Sequence, residues 1–179
     1  MKKIFLLAIV LFLVACQSKV DAKKTLINYL NLYTTLDKSI KDEIDDVINQ
    51  NDAFNKKHKQ VYKDILYRQY KDMKFDILKE EYTQDKALIT VNVNVYDLLK
   101  AEDDSLVYLS DHMSEFYDEN QVFSNEKYIS YKLDLMSKTE YRIDYEIIFY
   151  LTYEKGTWKV EQPTDSDLEK IHGIFQNNS

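Results

Sequence analysis

Three histidines and one cysteine are the side chains of this 179-residue chain whose ordinary chemistry suits acid–base work near neutrality or zinc ligation. His112 and Glu115 stand three residues apart, so on a helix they share a face that could hold a divalent ion or act as a base pair in a pocket. Zinc needs at least one further protein ligand, and no His-Glu-x-x-His run or cysteine cluster supplies it. The plain alternative is a surface pair on a helix. His58 sits in the basic run Lys56-Lys57-His58-Lys59, which predicts a solvated helix face, and His172 falls near the end of the last predicted helix. Asp165-Ser166-Asp167 with Glu169 spaces its acids as a calcium loop does. It lacks the turn glycine and spaced glutamate of an EF-hand, so a helix N-terminal cap is the better expectation. Asp118, Asn120 and Glu126 fail the same comparison. No nucleophile elbow, phosphate-cradling glycine loop or nucleotide fingerprint occurs. This inventory points away from an enzyme, a metal centre and a bound cofactor.

Tyrosine is the remaining feature, with 15 copies. Tyr141, Ile143, Tyr145, Ile147, Phe149, Leu151 and Tyr153 occupy every second position, the period of a strand. Tyr150 points to the opposite face, as does Tyr96 on its own predicted strand. On a curved sheet that second face could form an aromatic cup or a partner surface, because tyrosine offers apolar area with a polar tip. Tyr96, Tyr150 and His112 are therefore the candidate binding residues. The alternative is tyrosine simply filling a sheet.

The elements that must hold these residues read as follows. Leu26, Leu30, Tyr33 and Leu36 make one helical stripe after Asp21. Ser39 with Asp42 predicts a capping box for a second helix that buries Ile40, Ile44, Val47 and Ile48. Asn51 or Asp52 starts a third, with Phe54, Val61 and Ile65 inward. Near Met73 the period becomes two, and Ile89, Val91, Val93 and Val95 share one face of a strand. Leu106, Leu109, Met113, Phe116 and Tyr117 predict a helix opening at Asp104 or Ser105; a second opens near Ser124 with Tyr128, Ile129, Leu133 and Met136. After the long tyrosine strand, Glu154-Lys155-Gly156 turns the chain and Thr157-Trp158-Lys159-Val160 returns. Pro163 stops that strand, and Asp165 or Ser166 caps a last helix with Leu168, Ile171 and Phe175. The fold class is α+β: leading helices, then an antiparallel sheet of about four strands with helices packed on one face.

The amino terminus carries a different signal. Met1-Lys2-Lys3 precedes an uncharged run of 12 residues, Ile4 to Ala15, and then Cys16. That run is too short to span a membrane, which takes about 20 apolar residues, but it suits a secretory leader. Leu13-Val14-Ala15-Cys16 resembles the lipobox of bacterial lipoproteins. The resemblance implies cleavage before Cys16 and a diacylglycerol on its sulfur, with two or three acyl chains for durable anchoring. It divides the chain into a leader at 1–15, a lipidated tether at 16–20 and a single domain at 21–179. Gln17 is not the aspartate associated with inner-membrane retention. The implied location is the cell envelope: the outer membrane of a two-membrane host, otherwise the outer face of the plasma membrane. Loss of Lys2 and Lys3 leaves 22 basic against 31 acidic residues, a balance that argues against nucleic acid and against a polybasic grip on anionic lipid.

The domain itself is similar to the nuclear-transport-factor-2-like, or cystatin-like, cone domains of small exported lipoproteins. The likeness rests on the leading helices, the strand Tyr141–Tyr153, the turn at Gly156 and Trp158-Lys159-Val160 on the return. Two helices between the strand pairs depart from the simplest version and leave the strand order open. Such folds curl a sheet around a helix and often leave a pocket, yet fold alone does not select a function. The reading that follows is a membrane-anchored, non-enzymatic envelope lipoprotein. It would bind a protein partner or a small apolar or peptide-like ligand, with no cofactor beyond the lipid on Cys16. Alternatives are an isomerase or lyase using His112 or a buried acid as base, and a structural component of an envelope complex.

Overall fold

Period-two alternation produces four antiparallel strands, and they lie side by side in chain order: β1 (Lys74–Tyr82), β2 (Lys86–Tyr96), β3 (Arg142–Glu154) and β4 (Thr157–Val160). The computed structural model describes residues 21–50 and 52–176. The leader 1–15, the tether 16–20 with Cys16, and Asn51 as a helix start lie outside the described residues. Helix α1 runs through residues 21–34, followed by α2 (Lys38–Asn49) and α3 (Lys56–Lys71). Between β2 and β3 come α4 (Leu98–Asp111), a 3-10 turn (Met113–Phe116) and α5 (Asn125–Lys138); α6 (Asp165–His172) closes the described chain. The architecture is α+β, with helices packed on a four-stranded antiparallel sheet.

The two middle helices leave the strand order untouched. β2 and β3 pair without a register shift from Lys86–Thr152 to Tyr96–Arg142, so α4 and α5 are an excursion between adjacent strands. The sheet's inner face carries Ala87, Ile89, Val91, Val93 and Val95 from β2 with Ile147, Phe149 and Leu151 from β3, all buried. Cross-strand pairs such as Ile89–Phe149 and Val91–Ile147 set this register, because a one-residue slip would turn every one of them outward. Onto it α1 lays Ala22, Leu26, Leu30 and Tyr33, and α2 lays Ile40, Ile44 and Ile48. Each such aliphatic contributes about 1.5–3 kcal/mol on burial. A second, smaller cluster joins Ile65 of α3 to Leu98, Ala101, Leu133 and Met136 of the excursion. Helix α3 lies between the two clusters, giving Leu66 and Tyr70 to one and Ile65 to the other.

Turns and caps follow local chemistry. Lys155 (φ 50°) and Gly156 (φ 86°) form a two-residue hairpin turn with positive φ at both centres, matched to strand twist. Thr164 caps α6 in a capping box with Asp167, so the Asp165-Ser166-Asp167 acids serve a helix end. Four starts differ from the expected ones, the first being α6 itself, capped by Thr164 and not by Asp165 or Ser166. Asp37, whose carboxylate accepts from Ser39 N–H, caps α2; Asp42 instead pairs with Lys38, and Val47 is exposed. Asn55, accepting from His58 N–H, caps α3. Helix α4 begins directly after β2, capped by Asp97, and buries Leu98, Ala101 and Ser105 while Leu106 and Met113 face solvent. Apolar residues lie on both sides of this helix, so its periodicity fits two registers; packing against α3 and α5 selects the one with the small residues inward.

Candidate binding surface on the helical excursion

The root of the excursion is Tyr96, the last residue of β2. Its ring lies between the guanidinium groups of Arg68 (4.0 Å) and Arg142 (4.6 Å), and its hydroxyl donates to Asp72 Oδ2 at 2.8 Å. The buried amide of Gln69 pins the same residue: Oε1 accepts from Tyr96 N–H (2.9 Å), while Nε2 donates to the carbonyls of Tyr96 (3.0 Å) and His172 (2.8 Å). Gly173 passes so close that a Cβ there would stand 2.1 Å from the Tyr96 carbonyl oxygen. Leu99 N–H then donates to Gly173 O at 3.0 Å, tying α4 to the end of α6.

Tyr96 is thus committed to structure and is only 8 % exposed, which removes it from any open cup. Tyr150 is half-exposed on the outer sheet face, opposite Leu88. Arg142, the partner of Tyr96, lies eight residues from Tyr150 along β3, about 26 Å at roughly 3.3 Å per residue. The two tyrosines do not converge. His112 ends α4, where its ring stacks on Tyr108 at 4.0 Å, and Tyr108 stacks in turn on Tyr131 at 4.6 Å. The Tyr108 hydroxyl donates to Glu115 Oε2 at 2.9 Å, so His112 and Glu115 both engage Tyr108 rather than a shared ion. Among the described residues no group of three His, Cys, Asp or Glu side chains is arranged to hold a metal.

What the excursion does present is apolar surface. Leu106, Val107, Met113, Val122 and Phe123 are all exposed within 18 residues of chain, Val107 at 63 %. An antiparallel bridge between Tyr117 and Phe123 folds the connecting loop back on itself, with Ser124 N–H donating to Phe116 O at 2.7 Å. Phe116 is buried beneath, edge-on to Tyr128 and Tyr131. Phe116, Tyr128 and Tyr131 thus form an aromatic base at this end of the excursion, with the Phe123 ring 6.5 Å from Tyr128. Against that base lies an open cleft of about 560 Å³ lined by Glu115, Phe116, Ser124, Lys127, Ser130 and Tyr131.

A polar pair was invisible in the sequence. His58, in a lysine run that predicts a wet face, is buried, and its Nε2 lies 2.8 Å from Ser130 Oγ in a 300 Å³ cleft between α3 and α5. Its Nδ1 has no hydrogen-bond partner among the described residues. The spacing His58, Val61, Ile65 on the inner stripe is the signal that could have found it. His172 is also largely buried, with Nε2 3.1 Å from the Tyr70 hydroxyl, and burial pulls its pKa down to about 4.

No family model matches this chain, and no curated protein or solved structure matches it significantly.

Proposed function

We propose that this chain is a lipid-anchored envelope protein, held at the membrane through an acylated Cys16, whose helical excursion grips a protein partner or an apolar, peptide-like ligand. The observation that carries the binding half is the run of exposed apolar side chains, Leu106, Val107, Met113, Val122 and Phe123, over a packed aromatic base. Exposed large apolar side chains gathered in one short segment are the kind of surface that partners bury. The anchoring half rests on Leu13-Val14-Ala15-Cys16 and the leader before it.

An enzymatic reading has less support. His112 is engaged with Tyr108, and the His58–Ser130 pair lacks the acceptor on Nδ1 that orients a nucleophile's base.

Both halves are testable in cells. Metabolic labelling with a clickable fatty acid should mark the wild-type chain and leave Cys16→Ala unlabelled and released from membranes. A Cys16→Ala form that keeps its label and its membrane fraction refutes the anchor. For the binding half, Val107→Asp with Phe123→Ser should abolish cross-linked adducts formed from photo-reactive groups placed at Met113, with the thermal midpoint preserved. Unchanged adducts in that variant refute the surface.

A further inference from the structure

Strand β3 is 13 residues long, but β4 has only 4 and covers only Leu151–Glu154. One further bond, Glu161 N–H to Tyr150 O at 2.8 Å, extends the pairing by a residue. Pro163 has no N–H to continue a ladder, and the chain leaves for α6. From there back to Arg142, β3 has a strand neighbour on the β2 side alone among the described residues.

In an antiparallel ladder one residue's N–H and C=O point to the same flank, and the flank alternates along the strand. Glu154 and Thr157 bracket the two-residue turn, so Glu154, Thr152 and Tyr150 face β4. The same parity turns the N–H and C=O of Ile148, Glu146 and Asp144 to the open flank. No hydrogen bond from the described residues reaches these six groups, and all three residues are exposed. They span about 14 Å at roughly 3.4 Å per residue. The opposite edge of the sheet is protected: β1 breaks register with a bulge at Leu78 and carries a Lys79–Glu81 ion pair. The β3 flank pairs with β2 without a bulge, and the charges it carries, Asp144 and Glu146, are of one sign.

Side chains around the flank state what would fit. On the wet face Asp144 and Glu146 are exposed, and neither forms a salt bridge among the described residues. The side-chain amides of Asn92 and Asn94 donate to Asp144 at 2.8 and 3.1 Å, which holds its carboxyl below the usual range and keeps it ionised. On the inner face Ile143 and Tyr145 are half-buried at the rim of the core beyond Ile147, and the Phe175 ring packs edge-on to Tyr145 at 5.9 Å.

We propose that the flank Asp144–Ile148 accepts an extended segment of another protein as an added strand in line with β4, with basic side chains toward Asp144 and Glu146 and alternate apolar side chains beside Ile143 and the Tyr145–Phe175 ring pair. The chain's net charge of −7 favours a basic segment at longer range. A second copy of this chain fits worse, because edge-to-edge pairing would set the two acidic strips against each other. The site is separate from the apolar surface of the excursion, and either can fail without the other.

The test uses the lipid-free chain from residue 17 onward, with an acetylated, amidated octapeptide alternating lysine and valine as probe. Fluorescence anisotropy should show binding that weakens about tenfold when alternate peptide nitrogens of the parity facing β3 are methylated, the equivalent of one or two lost hydrogen bonds. Methylation of the other parity should change affinity less than about twofold on the same scale. Asp144→Asn with Glu146→Gln, both exposed and expected to fold, should weaken binding several-fold, and bound peptide should slow amide exchange at Asp144, Glu146 and Ile148. The proposal is overturned by absence of binding, by equal effects of both methylation parities, or by protection of these amides through self-association in sedimentation runs without peptide.

Discussion

The sheet half and the helical excursion bury apolar residues under opposite rules. On the sheet, five successive inner-face positions of β2 are fully buried, and the opposite face is largely polar, with Asn92 and Asn94 holding Asp144. In the excursion the inward residues include the small Ala101 and Ser105, while larger Leu106 and Val107 face out. A sheet face is completed by helices from elsewhere in the chain, so its alternation is obeyed. The excursion packs mainly on α3, and its second face has no such cover among the described residues. Fewer buried contacts mean that α4 and α5 should open locally before the sheet does. The two halves meet at Gln69, Tyr96 and Gly173, where an orphaned group in either half would be costly.

Breaking that junction should cost most. Gly173→Ala forces a Cβ onto the Tyr96 carbonyl at a φ of 72°, and the loss should be on the order of 4 kcal/mol by urea unfolding. A cost below about 1 kcal/mol would mean that the junction yields and does not couple the halves. Next, Leu133→Ala and Ile147→Ala each remove a fully buried aliphatic and should cost about 3 kcal/mol where they act. Hydrogen exchange should separate them, with Leu133→Ala deprotecting α4 and α5 while sheet amides hold. Ile147→Ala should lower protection everywhere. Simultaneous loss in both variants would make the molecule one cooperative unit.

Acid should act through the sheet side of the junction. His172 titrates near 6.5 when unfolded and at about 4 in the fold, so the native state binds its proton less readily. Its stabilisation is complete above pH 6.5 and is lost as pH falls toward 4, by up to about 3 kcal/mol. In His172→Gln the slope of stability between those pH values should flatten, which chemical denaturation at stepped pH will read. The smallest expected effect is Val107→Asn on the exposed face of α4, within about 0.5 kcal/mol of wild type.

Much of the local architecture was legible. The stripe Leu26, Leu30, Tyr33, the alternation Ile89 to Val95 and the Gly156 turn each repeat a simple period, and each element forms where its period runs. The Ser124 start of α5 was legible for the same reason. Helix α4 was misplaced because apolar residues on two faces satisfy the helical period twice, and only neighbours select one. The candidate tyrosines failed as a cup because sharing a face says nothing of position along the strand, which pairing alone sets.

The amino-acid sequence by itself determined the elements, the α+β class and the acidic charge, since propensity, period and turn chemistry act within a few residues. Tertiary structure decided the rest: the adjacency of β2 and β3 across a long excursion, His58 against Ser130, and Gly173 against Tyr96. It also decided that most of β3 has no second strand neighbour among the described residues. These depend on which distant surfaces bury together, and that choice is made by the summed packing of the whole chain, so no local window of residues contains it.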